Sequence, residues 1–399
     1  MNILFLLKTL EMGGVEVVTT TLANCFARAG HLVSIFAFDE AKEGQSTVKD
    51  RLSPAVMVHT QHCLAYNAEN VKALHDVMQQ QKTQVVINQW GLPYFLLKTA
   101  EKAAKGMSVK FISVYHNTPD MNGRLQGVDN QLSIISNPMK RFCLKGMRSV
   151  FKAITAYSMR WCYAHSDRYM VLSPSFVSKF KNFTGLKDVP KLIVQTNPVT
   201  IDSSGYNYSA EAKRKEIIFV GRLDFFQKKV NRVIDTWARL EKQFPDWQLT
   251  IVGDGPDRKN VEQQVKDLQL QHVRFEGFQK PLEYYKRASM LILTSEFEGF
   301  PLVLAEAMSF GVVPAVYNSY AAAGDIVHDG VNGLLIPYCT EGFDAGVMAE
   351  RMASVMVDDT ALHQLADGAI NTSKEYAVET IYDQWMKTFQ SIIDNKNNI

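Results

Sequence analysis

The sequence predicts an α/β protein built from two doubly wound domains, each with a parallel sheet covered by helices on both faces. Three observations carry this prediction. The length of 399 residues suits two domains at about 150 residues each. Short apolar runs alternate with longer segments of helical period along the chain. This alternation stops after Asn197-Pro198, where residues 199–215 are polar and rich in Ser, Gly and Tyr, and it then restarts.

The first domain is predicted over residues 1–198. It opens with a buried strand at Asn2–Leu7, a helix at Val15–Ala29 that Gly30 ends, and a strand at Leu32–Phe38. Later apolar runs, separated by segments of helical period, predict strands at Gln84–Asn88, Val109–Val114 and Tyr169–Leu172.

The second domain is predicted over residues 199–371. Its strands are expected at Glu216–Val220, Gln248–Val252, Val273–Glu276, Met290–Thr294 and Val312–Val316, and its first helices at Val230–Gln243 and Arg258–Leu270. The remainder, 372–399, contains an amphipathic helix from Thr372 to about Asn395, which we expect to return to the first domain. Ligands of open parallel sheets bind beyond the carboxyl ends of the strands, so two such domains face to face would enclose a cleft.

The composition excludes several classes of protein. Hydrophobic residues make up 46% and charged residues 21%, which excludes a disordered chain, and a net charge of +2 gives no reason to expect a nucleic-acid partner. The five cysteines show no C-x-x-C spacing, so we expect free thiols in a reducing cytoplasm. The apolar start is too short for a signal peptide, and no run of about 18 apolar residues predicts a membrane span. A cytoplasmic location is expected.

The charge is divided unevenly along the chain. Residues 1–200 hold 23 basic and 13 acidic residues, a net of +10, whereas residues 201–399 hold 20 and 28, a net of −8. No acidic residue lies between Asp129 and Asp167, where the spacing predicts a helix with two stripes. One stripe is basic (Arg141, Lys145, Arg148, Lys152), and the opposite one is apolar (Cys143, Met147, Val150, Ile154, Trp161). We expect the apolar side in the core and the basic side in solvent, where it could also dock on the anionic inner face of a membrane.

A pair of glycines follows the first strand. Gly13-Gly14 opens the first helix, where backbone N–H groups and the helix dipole favour an anion. Two interpretations stay open: an anion site, or a tight turn that needs positive φ. The pair is not the G-x-G-x-x-G of dinucleotide-binding folds, so Asp39 after the second strand is interpreted as a loop or cap residue rather than a ribose ligand.

The most specific stretch runs from Ser295 to Ala307. It follows a strand, makes a glycine turn and enters a helix at Pro301, with Glu298 before the turn and Glu306 on an apolar part of the helix. Backbone N–H groups from Gly299 through Phe300 and Leu302 to Val303 can hold a diphosphate, and the two carboxylates can accept hydroxyl protons from sugars. The alternative, that both acids are helix-cap or exposed residues, fits this context less well.

A cationic pair accompanies this stretch. Arg222 comes just after a strand and Lys228 lies before the next helix, so both can converge on phosphate oxygens. The alternative is two solvated surface cations. Because Gly253-Asp254-Gly255-Pro256 is a further strand-to-helix turn at the same end of the sheet, we expect a nucleotide-diphosphate site in the second domain.

These motifs resemble those of the retaining glycosyltransferases of family 4, which have the GT-B fold. The resemblance runs over most of the chain and is strongest from Ile217 to Pro337. The matches are the E-x7-E motif (Glu298, Glu306), the G-R-L…K pair (Arg222, Lys228), the glycine loop (Gly13, Gly14) and Val331–Leu335. Lys229 stands where the family usually has glycine, so either lysine could bind phosphate; we favour Lys228.

The resemblance implies roles for these residues. Arg222 and Lys228 would bind the donor diphosphate, Glu306 the ribose, and Glu298 the transferred sugar. His116, which follows a strand of the first domain, would hydrogen-bond the donor sugar or the departing phosphate, since similar enzymes carry a histidine there. A loop histidine with satisfied hydrogen bonds is the alternative.

The function predicted is transfer of a sugar, with retention, from a nucleotide-diphosphate sugar to a hydroxyl of a glycan or lipid-linked glycan in cell-surface polysaccharide biosynthesis. No D-x-D motif occurs, so we expect catalysis without a metal or other cofactor. The alternatives are a GT-B sugar-nucleotide epimerase, which would need no acceptor, and a non-catalytic sugar-nucleotide binding protein.

Overall fold

The computed structural model describes residues 1–393, which separate into two units. The first unit comprises Met1–Thr200 and the chain from Val378 onward, and the second comprises Ile201–Ala377. The sequence analysis placed the corresponding boundaries after residues 198 and 371. The structure therefore assigns six more residues at the end of the second unit than the sequence pattern indicated.

A seven-stranded parallel sheet forms the middle layer of the first unit. In chain order its strands are β1 (Asn2–Leu7), β2 (Leu32–Ala37), β3 (Val56–Thr60), β4 (Val85–Asn88), β5 (Lys110–Tyr115), β6 (Arg168–Val171) and β7 (Leu192–Val194). They lie side by side in the order β3-β2-β1-β4-β5-β6-β7. The central strands β1 and β4 are buried on both faces, which is why residues 3–7 and 85–87 are unbroken apolar runs.

Helices cover this sheet. They are α1 (Gly14–Arg28), α2 (Ala68–Gln80), α3 (Tyr94–Ala103), α4 (Gly123–Ile134), α5 (Pro138–Ala164) and α6 (Ser175–Thr184). The pairs α2 with α3 and α4 with α5 pack against each other. Gly30 has a φ of +84° and ends the helical path after α1, as its position in the sequence predicted.

The second unit repeats this architecture with six parallel strands. They are β8 (Arg214–Val220), β9 (Gln248–Val252), β10 (Val273–Gly277), β11 (Ala288–Leu293), β12 (Val313–Tyr317) and β13 (Leu334–Ile336), arranged as β10-β9-β8-β11-β12-β13. Its helices are α7 (Val230–Leu240), α8 (Arg258–Asp267), α9 (Leu282–Arg287), α10 (Leu302–Ser309), α11 (Ala323–Ile326), α12 (Ala345–Met356) and α13 (Asp359–Ser373). Two doubly wound parallel sheets confirm the predicted α/β class.

The strands that sequence analysis missed lie at sheet edges. β3 and β7 border the first sheet, and β13 borders the second. In β3 only Val56 is fully buried, while β7 and β13 are three residues long. None of them presents a long apolar run, because an edge strand is covered on fewer sides than a central one.

The last described helix, α14 (Val378–Ile393), belongs to the first unit. It packs on α1, with the ring of Phe389 5.7 Å from that of Phe26, and this confirms the predicted return of the C-terminal helix. The predicted start at Thr372 is wrong because that residue lies in the last turn of α13, which packs on α10 of the second unit. The rest of the predicted segment, 394–399, lies outside the described residues.

The prediction for α5 is wrong in one respect. Met147, Val150 and Ile154 face solvent, as does Cys143, although they were expected in the core. On the basic side, Arg148 pairs with Asp129 at 2.6 Å and Arg141 donates to two carbonyl oxygens near the end of α4. Lys145 and Lys152 are exposed, as expected. Helical period identifies the two stripes but does not decide which one meets a neighbouring element.

Candidate active site

The candidate site residues of each unit lie where the strand order of its sheet reverses. Both sheets follow the same doubly wound order, so the chain leaves the central strands β1 and β4, or β8 and β11, towards opposite edges. The loops after these strands diverge and leave a crevice at their carboxyl ends, where open α/β sheets bind ligands. The topology thus brings together residues that are about 70 positions apart in the second unit, such as Lys228 and Glu298.

The loop after β8 is shaped by Asp224, a buried residue that the sequence analysis did not single out. Its Oδ1 accepts hydrogen bonds from the backbone N–H groups of Phe226, Gln227 and Lys228, and its Oδ2 accepts from Arg222 Nε at 2.7 Å. Burial alone would raise the pKa of Asp224, but these hydrogen bonds and the guanidinium charge hold it below its ordinary value. One carboxylate therefore orients both predicted phosphate ligands.

Two glycines of the loop after β9 make room for this arrangement. A Cβ atom at Gly253 would lie 1.8 Å from the carbonyl oxygen of Gly221, and one at Gly255 would lie 2.4 Å from that of Leu223. Backbone therefore packs directly on backbone, which only glycine permits. The Gly-Asp-Gly-Pro turn therefore packs on the backbone on both sides of Arg222.

Lys228 and Glu298 form a short ion pair. Lys228 Nζ lies 2.5 Å from Glu298 Oε1, and both side chains are largely buried, at 16% and 9% exposed. Lys229 instead occupies the left-handed backbone region, at a φ of +50° and ψ of +43°, and it caps α7. Glycine adopts that conformation more readily than lysine, which explains the glycine usual at this position in the resembling family. The geometry places Lys228, not Lys229, beside the glutamate motif.

The segment from Glu298 to α10 combines an acid with available backbone donors. Within the described chain, the N–H groups of Gly299, Phe300, Leu302 and Val303 donate to no other backbone group. Pro301 directly precedes the first residue of α10, and the ring of Phe300 packs against Tyr376 at 5.2 Å. The first-turn N–H groups of a helix have no partner in their own helix and favour an anion.

Glu306 is buried inside α10 and is held by a tyrosine. Tyr285 OH donates to Glu306 Oε2 at 3.1 Å, and burial followed by the nearby carboxylate raises the pKa of Tyr285 well above its ordinary value. The acid therefore is neither exposed nor a cap. A carboxylate fixed in this way is an acceptor of hydrogen bonds, as the predicted contact with a hydroxyl requires.

Two buried hydroxyl groups near Glu298 have no hydrogen-bond partner among the described residues: Ser295 Oγ and Tyr320 OH. Burial raises the pKa of Tyr320 well above its ordinary value, and the charge of Glu298 adds to this rise. Buried hydroxyls without partners are rare, because each costs free energy comparable to a lost hydrogen bond. Both are candidates for contact with a polar ligand.

In the first unit, His116 follows β5 and contacts Gln89, which follows β4. His116 Nε2 lies 2.7 Å from Gln89 Oε1, so Nε2 carries the proton and donates. The ring is half-buried as a whole, but its Nδ1 atom is buried without a partner in the described chain. Desolvation lowers the pKa of His116 to about 3. The imidazole is therefore neutral near pH 7, and Nδ1 is an acceptor aligned by Gln89.

The Gly13-Gly14 pair of the first unit is not a tight turn that needs positive φ. Gly13 is extended, at a φ of −151°, and Gly14 is the first residue of α1, so neither requires positive φ. A Cβ atom at Gly13 would lie 2.6 Å from Glu16 Oε2. The glycine therefore makes room for a buried carboxylate in the first turn of α1.

Glu16 lies in a cluster that sequence analysis missed. Burial raises the pKa of Glu16 to about 7, against the opposing charge of Lys8. Burial also lowers the pKa of Lys8 to about 8, and its Nζ lies 3.6 Å from the centre of the Trp90 ring. Lys8 directly follows β1, and Trp90 is the second residue after β4. The available signal was therefore the position of these residues just after two central strands.

Among residues 1–393, no group of three His, Cys, Asp or Glu side chains is arranged to hold a metal ion. Asp39 lies in a loop, where its Oδ1 accepts from the backbone N–H of Glu40. In the second unit Lys228 pairs with Glu298, and Arg222, whose side chain is 62% exposed, pairs with Asp224. The second unit thus offers positive charge and backbone donors for a diphosphate.

Two protein-family models match this chain. The model described as Glycosyltransferase Family 4 matches residues 12–203, and the model described as Glycosyl transferases group 1 matches residues 207–372. The first match contains His116 and Glu16, and the second contains Arg222, Lys228 and the E-x7-E stretch. Both domains characteristic of GT-B glycosyltransferases are present.

Known relatives match over different lengths. GalNAc-alpha-(1->4)-GalNAc-alpha-(1->3)-diNAcBac-PP-undecaprenol alpha-1,4-N-acetyl-D-galactosaminyltransferase of Campylobacter jejuni is 26% identical over 401 residues, which cover 98% of this chain and 99% of that protein. An exopolysaccharide phosphotransferase of Streptomyces coelicolor is 29% identical over 215 residues, which cover 53% of this chain and 22% of that protein. The match thus spans about a fifth of the Streptomyces protein.

A solved structure of Anabaena HepE, in complex with UDP and glucose, superimposes with a TM-score of 0.73. The sequences are 17% identical, and the superposition covers 98% of this chain and 100% of that one. This likeness confirms the predicted GT-B α/β fold.

Proposed function

Because both domains of a GT-B glycosyltransferase are present in this chain, we propose that it transfers a sugar, with retention at the anomeric carbon, from a nucleotide-diphosphate sugar to a hydroxyl of a glycan or lipid-linked glycan. The observation that carries the proposal is the buried Lys228–Glu298 pair at the carboxyl edge of the second sheet. It places a cation for a phosphate and a carboxylate for a sugar hydroxyl side by side.

The donor is held by the second unit in this proposal. Arg222 and Lys228 bind the diphosphate, together with the N–H groups of Gly299, Phe300 and Leu302 around Pro301. Glu306 accepts hydrogen bonds from the ribose hydroxyls, and Glu298 from the transferred sugar. Gly13 and Gly14 are not included in this assignment, because the space beside Gly13 is occupied by the Glu16 carboxylate. The relative from Campylobacter jejuni is named for such a sugar transfer, which supports this assignment.

The reaction proceeds on one face of the sugar. The bond between the anomeric carbon and the phosphate oxygen breaks, the acceptor oxygen bonds to the same face of that carbon, and the acceptor proton passes to the departing phosphate oxygen. Arg222, Lys228 and the helix N-terminus stabilise the charge that develops on that phosphate. His116 is neutral and presents Nδ1 as an acceptor, so we assign it a hydrogen bond from a sugar hydroxyl rather than one to the phosphate.

No metal or other cofactor takes part in this proposal. The support is the absence of a D-x-D motif in the full sequence, together with Lys228 beside Glu298 and Arg222 in the loop after β8. The test is transfer by EDTA-treated enzyme, which should keep the untreated rate. Loss of turnover that Mn²⁺ restores would overturn this part of the proposal and leave the assignment of the sugar transfer intact.

We assign the reaction to cell-surface polysaccharide biosynthesis, because the two relatives described above are named for exopolysaccharide and undecaprenol-linked glycan chemistry. All five cysteines are free, which suits the reducing cytoplasm where we place the reaction. The chemical identity of the base and of the sugar can be found by thermal-shift screening against UDP-, GDP- and ADP-sugars.

The decisive experiment is acceptor-dependent transfer with the donor found by that screen. Release of one nucleoside diphosphate for each glycoside, and a product whose anomeric proton coupling matches that of the donor, are the expected results. Epimerised sugar nucleotide without an acceptor would indicate the epimerase. Binding without any turnover would indicate a sugar-nucleotide binding protein, and either result would overturn the proposal.

A further inference from the structure

Two buried hydroxyl groups follow neighbouring strands of the second sheet. Ser295 is the second residue after β11 and Tyr320 the third after β12, and these two strands pair with each other. The hydroxyl of Ser319 donates to the carbonyl oxygen of Ser295, so the two loops are joined. Ser295 is fully buried and Tyr320 is 6% exposed, yet neither hydroxyl has a hydrogen-bond partner within residues 1–393. Two joined loops thus each bury a hydroxyl group that the described chain does not satisfy.

The hydroxyl of Tyr320 costs stability and is not needed for packing. A phenylalanine ring would fill the same space without burying a polar atom. A buried hydroxyl without a partner costs free energy comparable to that of a lost hydrogen bond, and such groups are rare in folded proteins. The position of Tyr320 is fixed by its backbone, since its carbonyl oxygen accepts from the N–H of Ala323 at 3.0 Å. The hydroxyl therefore indicates a hydrogen bond to a ligand.

The neighbouring carboxylate decides which kind of ligand fits. The charge of Glu298 acts on Tyr320, where it adds to the effect of burial in raising the pKa of the phenol. A phosphate at the two hydroxyls would lie near this carboxylate and be repelled by it. A sugar is neutral, and its oxygen atoms can accept hydrogen bonds from hydroxyl groups of the protein. An oxygen of a sugar therefore fits Ser295 and Tyr320 better than a phosphate oxygen does.

We propose that Tyr320 and Ser295 donate hydrogen bonds to an oxygen of the transferred sugar, on the ring carbon next to the hydroxyl that Glu298 binds. They thereby select donors whose sugar carries oxygen at both carbons and disfavour the deoxy sugar. This inference rests on the proposed function, because it takes the transferred sugar to lie at Glu298. In the structure Glu298 pairs with Lys228. When Lys228 turns to the diphosphate and Glu298 to the sugar, the hydroxyl of Tyr320 gains its partner.

Removing the hydroxyl of Tyr320 should have opposite effects on recognition and on stability. Y320F deletes one oxygen and keeps the ring, so the donor should bind about tenfold more weakly. The melting temperature should stay the same or rise, because a buried group without a partner is removed. A hydroxyl that served only the fold would instead lower the melting temperature when it is deleted.

The experiment combines Y320F with deoxy analogues of the donor. The probe is the tightest binder among the UDP-, GDP- and ADP-linked forms of glucose, galactose and their N-acetylated amino sugars, titrated calorimetrically beside its analogues that each lack one sugar hydroxyl. For the unaltered protein, the analogue that lacks the proposed oxygen should bind about tenfold more weakly than the full donor. For Y320F this penalty should largely disappear, because both changes remove the same hydrogen bond. S295A should reduce the same penalty and no other.

Tyr317 supplies a matched control. It is buried at the end of β12, and its hydroxyl accepts from the backbone N–H of Cys339 at 3.2 Å. Y317F should therefore lower the melting temperature and leave the penalties for the deoxy analogues unchanged. Equal penalties in Y320F and in the unaltered protein, or a lower melting temperature of Y320F, would overturn the proposal.

Failure of this proposal can be told apart from failure of the proposed function. If the unaltered protein transfers sugar with retention but Y320F discriminates among the analogues as it does, only the role of Tyr320 is wrong. If binding occurs without turnover, the proposed transfer is wrong, and the titrations still decide the role of Tyr320. If no nucleotide sugar of the panel binds, both are wrong.

Discussion

The two sheets have the same topology, but the ionisable groups at their carboxyl edges differ in whether they are charged. In the second unit, charged groups are paired: Lys228 with Glu298, and Arg222 with Asp224. In the first unit, burial dominates: the pKa of His116 is lowered to about 3, and that of Glu16 is raised to about 7. One edge keeps its charges, and the other favours the neutral forms of its groups.

This contrast indicates a division of chemistry. A leaving diphosphate needs positive charge that is already in position, because reorganising charge during the reaction raises the barrier. A sugar hydroxyl can also be bound by a neutral acceptor, and the buried His116 Nδ1 is such a group. The same doubly wound scaffold thus supports two kinds of site, according to which residues follow its central strands.

The largest effect should come from removing the acid of the charged edge. Glu298→Gln keeps the size of the side chain but leaves Lys228 without its carboxylate, so we expect kcat/KM for transfer to fall by about 10³-fold or more. Initial rates at matched donor concentrations test this. The melting temperature of the variant shows whether it has folded, and a folded variant with the original rate would remove Glu298 from the mechanism.

The next effect concerns the exposed cation of the same edge. Arg222→Ala should weaken binding of the nucleoside diphosphate by roughly 10- to 100-fold, since a charge-assisted hydrogen bond contributes about 1.5–3 kcal/mol. Calorimetric titration with the free diphosphate measures it. Arg222→Lys retains the charge but not the fork, so it should recover part of the loss. Unchanged affinity in both variants would mean that Arg222 is only a solvated cation.

A smaller effect is expected for the residue that orients these cations. Asp224→Asn can still accept the backbone hydrogen bonds through its amide oxygen but no longer holds Arg222 by charge, so donor KM should rise about tenfold while kcat changes little. Asp224→Ala loses both functions, so it should have a higher donor KM and a lower melting temperature than Asp224→Asn. A donor KM of Asp224→Asn equal to that of the unaltered protein would show that the charge on Asp224 is unimportant.

The smallest effect concerns the pH dependence of stability, which tests the buried carboxyl edge of the first sheet. The pKa of Glu16 rises from 4.5 to about 7 on folding, so the folded protein binds more protons in this window, and its stability falls as pH rises through it. Lys8 and Glu11 are the charged groups that act on Glu16 directly. The difference in free energy of unfolding between Glu16→Gln and the unaltered protein should therefore shift in favour of the variant, by on the order of 2 kcal/mol, when the pH is raised from 5 to 8.

Melting temperatures at the two pH values measure this difference. Glu43→Gln, which removes an exposed acid from the same unit, is the control and should show no such dependence. If Glu16→Gln and Glu43→Gln respond alike to pH, Glu16 is not buried in the way described, and the contrast between the two edges is weaker than proposed.

Much of the fold could be predicted from the sequence. Central strands such as Asn2–Leu7 and Gln248–Val252 match their predicted bounds, because a strand buried on both faces must be apolar throughout. Edge strands such as Val56–Thr60 escaped prediction because they are partly exposed and carry a weaker pattern. The late start of α14 escaped it because the amphipathic pattern continues through the end of α13.

The candidate site divides in the same way. The sequence by itself determined the α/β class and the two units, since local pattern and spacing specify these. It also placed Glu298, Arg222, Lys228 and His116 in segments that follow strands, and Glu306 within a helix. Only the tertiary structure decided that Lys228 meets Glu298, that Asp224 and Gln89 orient their neighbours, and that the apolar side of α5 faces outward. Those outcomes depend on which elements pack together, and pairs distant in sequence become neighbours only when the strand order of the sheets is set.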